Sequence, residues 1–252
     1  MPLTVHHRPS PNHGPRPAGA TVDILVLHYT GMATAQAALD RLCDEAAQVS
    51  AHYLVEEDGA VWRLVDERRR AWHAGRGAWG AAHDVNSRSI GVEIVNPGHE
   101  FGYHPFPDAQ MRAVTELCQG ILRRWPIPPG NVIAHSDLAP DRKQDPGELF
   151  DWRGLAMAGV GLWPRAADGP SADGPPVMAS MVTDSMVAAL LSRLGYSLDG
   201  MDLALPLRAF QRHWHPQALG EPADGETIRR LRDLVAQVSA PNPSGTLAQP
   251  AE

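Results

Sequence analysis

The chain has 252 residues, 43% of them hydrophobic and 20% charged, which is enough apolar material for one large core or two smaller ones. Its formal net charge of -7 argues against a nucleic-acid partner, which would require a basic face. Two cysteines, Cys43 and Cys118, make no disulfide framework and read as reduced thiols in apolar stretches, and no apolar run approaches the roughly 18 residues of a membrane span.

Residues 1–20 are rich in Pro, Gly and His and have no periodicity, so they read as an extended, solvated arm. They lack the apolar core of a secretory signal and a cysteine for a lipid anchor. As written, the chain reads as cytoplasmic; a leader preceding it would move it to the periplasm or outer membrane. Val22–Tyr29 contains the continuous apolar run Ile24-Leu25-Val26-Leu27, the pattern of a strand buried on both faces. His28 stands at its exit, on the rim of a sheet where sites are commonly built, although judged alone a histidine there reads first as one hydrogen-bonded in a core. Thr34–Val49 predicts a helix capped by Thr34. His52–Val55, Glu57-Asp58-Gly59 and Val61–Val65 predict a hairpin, because Asp-Gly between apolar runs supplies the turn. Trp72 and Trp79 lie on the glycine-rich stretch that follows, either as lids over a core or as walls of a groove.

Ser89–Val95 alternates as a strand, with Gly91 and Glu93 on one face. A glutamate inside such a strand is costly unless it is paired or lies near a cation, and Gly91 leaves space beside it. Asp108–Trp125 predicts a second long helix, stopped by Pro126. Asn131–His135 predicts a strand, and Leu155–Trp163 a short helix. Between these two lies the densest polar stretch of the chain, IAHSDLAPDRKQDPGELFDW, Ile133–Trp152. Pro140 and Pro146 prevent regular structure there, and the two-residue spacing of Lys143 and Asp145 points both side chains the same way in an extended segment.

By composition Arg165–Pro176 is a linker. Beyond it, the stripes in Val182–Leu194, Leu203–Trp214 and Thr227–Val238 predict a three-helix bundle, in which His213 and His215 read as structural or surface residues. The resulting division is an arm over 1–20, a first unit over 21–165, a linker over 166–180, a helical unit over 181–240 and a disordered tail over 241–252.

If the strand-end residues His28 and His135 converge with Asp145, they make a three-ligand zinc site with one open position, at which water becomes nucleophilic at neutral pH. Glu93 then suits proton transfer, and the ammonium of Lys143 suits an oxyanion. Together the five residues supply the parts that metal-assisted amide hydrolysis requires.

The runs VLHYTG (Val26–Gly31), WHAG (Trp72–Gly75), SIGVEIVNPG (Ser89–Gly98) and AHSDLAPDRKQDPGELFDW (Ala134–Trp152) resemble the zinc-dependent N-acetylmuramoyl-L-alanine amidases of the type-2 amidase family. Phage lysozyme-type amidases and peptidoglycan-recognition proteins are related to it. The resemblance covers roughly Ile24–Trp163. It implies an α/β fold with a central mixed sheet flanked by helices, and one zinc ion per chain at His28, His135 and Asp145. Glu93 and Lys143 are then catalytic, and His73 and Asn86, which lie in family motifs lining the groove, are contacts to substrate. The implied reaction is cleavage of the amide between N-acetylmuramic acid, or its 1,6-anhydro form, and L-alanine, in the wall or in recycled muropeptides. The helical unit resembles a peptidoglycan-binding domain, which makes the layout most similar to the AmiD branch; packing of that unit against the first is an equal expectation. A non-catalytic peptidoglycan-recognition module is the alternative, but it would require a lost ligand or base, and all five residues are present.

Overall fold

A computed structural model describes residues 3–165 and 181–240. The expected linker over 166–180 and the expected tail over 241–252 lie outside the described residues.

The arm is part of the fold. Strand β1 (Val5–His7) and strand β2 (His13–Pro15) precede the apolar strand β3 (Ile24–Tyr29). Helix α1 (Ala35–Cys43) starts where Thr34 accepts a hydrogen bond from Ala37 N–H. It is shorter than the apolar stripe predicts, because Asp44 leaves the helical conformation and accepts from Ala46 N–H to start a separate 3-10 turn. The hairpin follows as β4 (Tyr53–Val55) and β5 (Val61–Arg63), then β6 (Arg69–Ala71), the short helix α2 (Val85–Arg88) and β7 (Ser89–Ile94). A one-turn helix α3 (Gly98–Phe101), the long helix α4 (Asp108–Arg124), β8 (Val132–Ala134) and the one-turn helix α5 (His135–Leu138) lead into the polar loop. Helix α6 (Trp152–Met157), capped by Asp151, begins earlier than its apolar residues predict. The last three helices are α7 (Asp184–Leu194), α8 (Ala204–Trp214) and α9 (Gly225–Ser239).

Six strands form a mixed sheet in the order β1-β5-β4-β7-β3-β8, and β2 pairs antiparallel with β6 beside it. β4, β7, β3 and β8 run parallel, so their carboxyl ends share one edge, where ligand sites are commonly built in such sheets. On one face Leu25, Leu27, Ile90, Val92 and Ile94 pack against Val114, Leu117 and Ile121 of α4. On the other, Leu54 meets Leu39 and Leu42 of α1, while Ile24, Val26 and Ile133 share a core with Leu191, Phe210, Trp214 and Leu231. The C-terminal helices therefore complete one face of the sheet.

Arg16 explains why the proline-rich arm is fixed. Its guanidinium donates to the carbonyls of Glu67, Asn86, Ser87 and Ser89 at 2.8–3.2 Å. Burial lowers its pKa to about 10, with the Arg70 charge adding to the effect.

Candidate metal centre and active site

The strand register puts two of the expected residues side by side, because His28 of β3 is paired with Glu93 of β7. His135 follows β8 directly, at the start of α5, and Asp145 returns from the polar loop, where Ser136 N–H donates to its carbonyl at 3.1 Å. His28 Nδ1 lies 2.9 Å from His135 Nδ1, and each of these nitrogens lies 3.0 Å from Asp145 Oδ2. All three side chains are buried, with 1%, 3% and 6% exposure respectively. Residues 107 and 117 positions from His28 thus converge on one point.

The far nitrogens decide the protonation of this cluster. His135 Nε2 faces the carbonyl of Ala74 at 2.9 Å, and a carbonyl only accepts, so that nitrogen carries the hydrogen. In the neutral ring, His135 Nδ1 then presents a lone pair toward both Asp145 Oδ2 and His28 Nδ1. His28 Nε2 lies 3.0 Å from His73 Nδ1, and His73 Nε2 lies 3.1 Å from Ser89 Oγ, a chain consistent with His28 Nδ1 presenting a lone pair as well. Three electron-rich atoms this close repel unless a cation lies among them. Their spacing approaches the ~3.3 Å edge of a tetrahedron with bonds of about 2.0–2.1 Å. Among the described residues, His28, His135 and Asp145 are the group of metal-ligand type that meets at one point, and the donor set of two imidazoles and a carboxylate fits a divalent ion.

Electrostatics agree with ligand-ready groups. Burial, reinforced by His135, lowers the His28 pKa to about 4, so its ring is neutral at pH 7. Burial works against ionisation of Asp145; imidazole N–H groups or imidazolium charge facing it would hold the carboxyl well below the usual carboxylate range, and a bound cation takes that role once both Nδ1 atoms present lone pairs. Glu93 behaves in the opposite way. Burial and the Asp145 charge push its carboxyl well above the usual range, while Lys143 partly offsets them, and its Oε2 is buried without a hydrogen-bond partner. Such a group holds a proton more tightly than an ordinary carboxyl does, the bias that a proton carrier needs.

A cleft of about 400 Å³ opens over the cluster. His28, Glu93, His135, Lys143 and Asp145 line it, together with Tyr29, Trp72, His73 and Arg41. Trp72 is thus a groove wall, whereas Trp79 is 4% exposed and belongs to the core shared with the C-terminal helices. His73 touches the cleft, but its ring is chiefly the support of His28. Asn86 does not reach the cleft: its Oδ1 accepts from His73 N–H and Ala74 N–H at 3.1 and 2.9 Å, fixing the segment that orients both imidazoles. Asn86, expected as a substrate contact, thus has its Oδ1 engaged with the His73–Ala74 backbone. Gly91 gives His73 its place, since a Cβ there would lie 2.4 Å from His73 Cγ. The space expected beside Glu93 is filled by an imidazole.

Sequence reasoning missed the supporting layer. Ala74 acts through a carbonyl, which side-chain chemistry cannot announce. His52 accepts from Gly91 N–H at Nδ1 and faces the Arg69 carbonyl with Nε2, behind the site. Asp137 carried no signal beyond being a carboxylate two residues from His135.

With this geometry in hand, the comparisons are specific. The family model described as N-acetylmuramoyl-L-alanine amidase matches residues 18–148. The chain belongs to that amidase family. The amidase is 36% identical to N-acetylmuramoyl-L-alanine amidase AmiD of Escherichia coli K12 over 222 residues, covering 82% of this chain and 79% of that one. It is 31% identical to the 1,6-anhydro-N-acetylmuramyl-L-alanine amidase AmpD of Enterobacter cloacae over 167 residues, 60% of this chain and 87% of the relative. Among solved structures, AmiD from E. coli in complex with the substrate anhydro-N-acetylmuramic acid-L-Ala-D-gamma-Glu-L-Lys superposes with a TM-score of 0.75 at 34% identity, over 91% of this chain and 93% of that one. AMPDH3 from Pseudomonas aeruginosa in complex with anhydromuramic pentapeptide gives 0.74 at 32% identity, over 92% and 96%. The amidase shares their central mixed sheet flanked by helices, and no helix among its described residues is long and apolar enough to cross a membrane.

Proposed function

We propose that this amidase hydrolyses the amide between the lactyl group of 1,6-anhydro-N-acetylmuramic acid and L-alanine, using one zinc ion held by His28, His135 and Asp145. The observation that carries the reading is the meeting of two imidazole nitrogens and one carboxylate oxygen at 2.9–3.0 Å, in a cleft also lined by Glu93 and Lys143. Solved relatives with anhydromuropeptides bound support the substrate class.

When bound, the ion supplies Lewis acidity that polarises the scissile carbonyl and acidifies water. Neutral His28 and the His135 ring are each held in one orientation, by His73 and by the Ala74 carbonyl respectively. Glu93, with its raised proton affinity, takes a proton from the attacking water and returns it to the departing alanine nitrogen. The Lys143 ammonium faces the negative charge that develops on the carbonyl oxygen. Half-buried Trp72 offers an apolar surface to the sugar or the stem peptide.

The test is mass spectrometry of products from anhydromuropeptides and from intact sacculi, run side by side with zinc-loaded protein and with zinc-loaded Glu93→Gln. Release of anhydro-N-acetylmuramic acid and free peptide by the first protein only is the expected result. Turnover of sacculi alone would overturn the substrate assignment, and no turnover of either would overturn the reaction. Cell fractionation decides between cytoplasm and envelope.

A further inference from the structure

The C-terminal helices do more than cover the sheet. Asp137 has no exposed surface and lies two residues beyond His135, inside the one-turn helix α5. Its Oδ2 accepts from Ala134 N–H at 2.8 Å, which fixes the strand-to-helix turn carrying His135. The remaining partners of this carboxylate come from the C-terminal unit. Tyr196 OH donates to Oδ1 at 2.6 Å, and His213 Nδ1 lies 2.6 Å from Oδ2. The His213 ring is clamped between Trp152 and Trp214, with centroids 3.7 and 3.5 Å away and planes tilted by 28° and 7°.

The same unit also grips the other side of the site. Gly80 N–H donates to the Gly195 carbonyl at 2.7 Å, Trp79 forms a strand-like bridge with Tyr196, and their rings meet edge to face at 5.1 Å. Ala78 N–H donates to the Leu138 carbonyl at 2.9 Å, tying this loop to α5. It is the loop whose Ala74 carbonyl orients His135 and whose His73 orients His28. Both supports of the metal ligands therefore run through the turn at 195–196 and through α8.

We infer that Tyr196 and His213 are positioning residues for the metal centre, and that the C-terminal helical unit is a built-in brace of the active site. Removing the Tyr196 hydroxyl leaves Asp137 Oδ1 without a partner where no water reaches it. The carboxylate then turns to find one and releases Ala134 N–H, which lets the His135 backbone move. The inference rests on the metal reading proposed above, and its test separates the two.

In the full chain, Tyr196→Phe and His213→Gln are loaded with cobalt(II), whose visible absorption reports ligand geometry, and affinity is measured by chelator competition well below the unfolding temperature. The expected result for Tyr196→Phe is about ten-fold weaker cobalt binding or more, a changed absorption band, and a lower kcat with KM unchanged. His213→Gln acts in the same direction and decides the question if Tyr196→Phe does not fold. Wild-type affinity and spectrum in the folded variants, with only a lower unfolding temperature, would overturn the inference alone. A wild-type chain that takes up no cobalt would overturn the metal reading, and this inference with it.

Discussion

Replacing Gly91 by alanine is a change of one methyl group, 18 residues along the chain from the imidazole it disturbs, His73. The added Cβ would lie 2.4 Å from His73 Cγ and 2.6 Å from Cδ2 and Nδ1. Ordinary contact begins near 3.4 Å, so the ring must retreat by about 1 Å. The His28 Nε2–His73 Nδ1 separation, now 3.0 Å, then exceeds hydrogen-bonding distance and the His28 ring loses its anchor. Overpacking of this kind costs about 1–3 kcal/mol of stability. Loss of a ligand's outer hydrogen bond weakens metal binding by about 10–100-fold. Thermal unfolding of metal-free protein measures the first effect and chelator competition the second. Combining Gly91→Ala with His73→Ala removes the clash without restoring the anchor. The double variant should therefore regain stability relative to Gly91→Ala while its metal affinity stays low. If Gly91→Ala binds metal as the wild type does, the chain from Gly91 through His73 to His28 is not what holds the ligand.

Three other outcomes follow from the same geometry. His28→Ala should abolish stoichiometric metal uptake and turnover together, measured by metal analysis after dialysis, and retained tight metal would remove His28 from the ligand set. Glu93→Gln should keep the metal and lose about 10²–10⁴-fold in kcat, and an active variant would exclude Glu93 as the proton carrier. Metal-free protein should lose stability in acid. Burial lowers the His52 pKa from 6.5 to about 4, so the unfolded chain binds a proton across that window while the folded chain does not. Stability contributed by neutral His52 is thus complete above pH 6.5 and falls by about 3 kcal/mol as pH drops to about 4. Urea titrations at a series of pH values should show a shallower acid slope for His52→Gln, and an unchanged slope would show that this ring is not the group concerned.

The readings by periodicity succeeded where burial is continuous. Ile24–Leu27, the Asp58-Gly59 hairpin, the stripe of α4 and the three C-terminal helices were legible because local pattern and tertiary burial demand the same thing. The arm was not. Its pairing with β5 and β6 and the hold of Arg16 on four carbonyls depend on partners 51–73 positions away, and no local pattern encodes them. Helix α1 ended early because Asp44 offers its side chain to the backbone, a competition that an apolar stripe does not register.

What the sequence determined by itself was the inventory: two imidazoles at strand ends, a Lys-x-Asp pair in a proline-bounded loop, and a glutamate on an otherwise apolar strand. These are chemical identities, and chemistry limits what such groups do when they meet. Only the tertiary structure decided that they meet, through the parallel register of β3, β7 and β8 and the return of the loop to Asp145. It alone turned Asn86 away from the cleft, filled the space above Gly91 with His73, and tied Asp137 to Tyr196 and His213. The reason is physical. The apolar pattern that selects a fold is repeated along each element, whereas the hydrogen bonds that aim a ligand are single contacts between distant residues, and they exist only once the chain has closed around them.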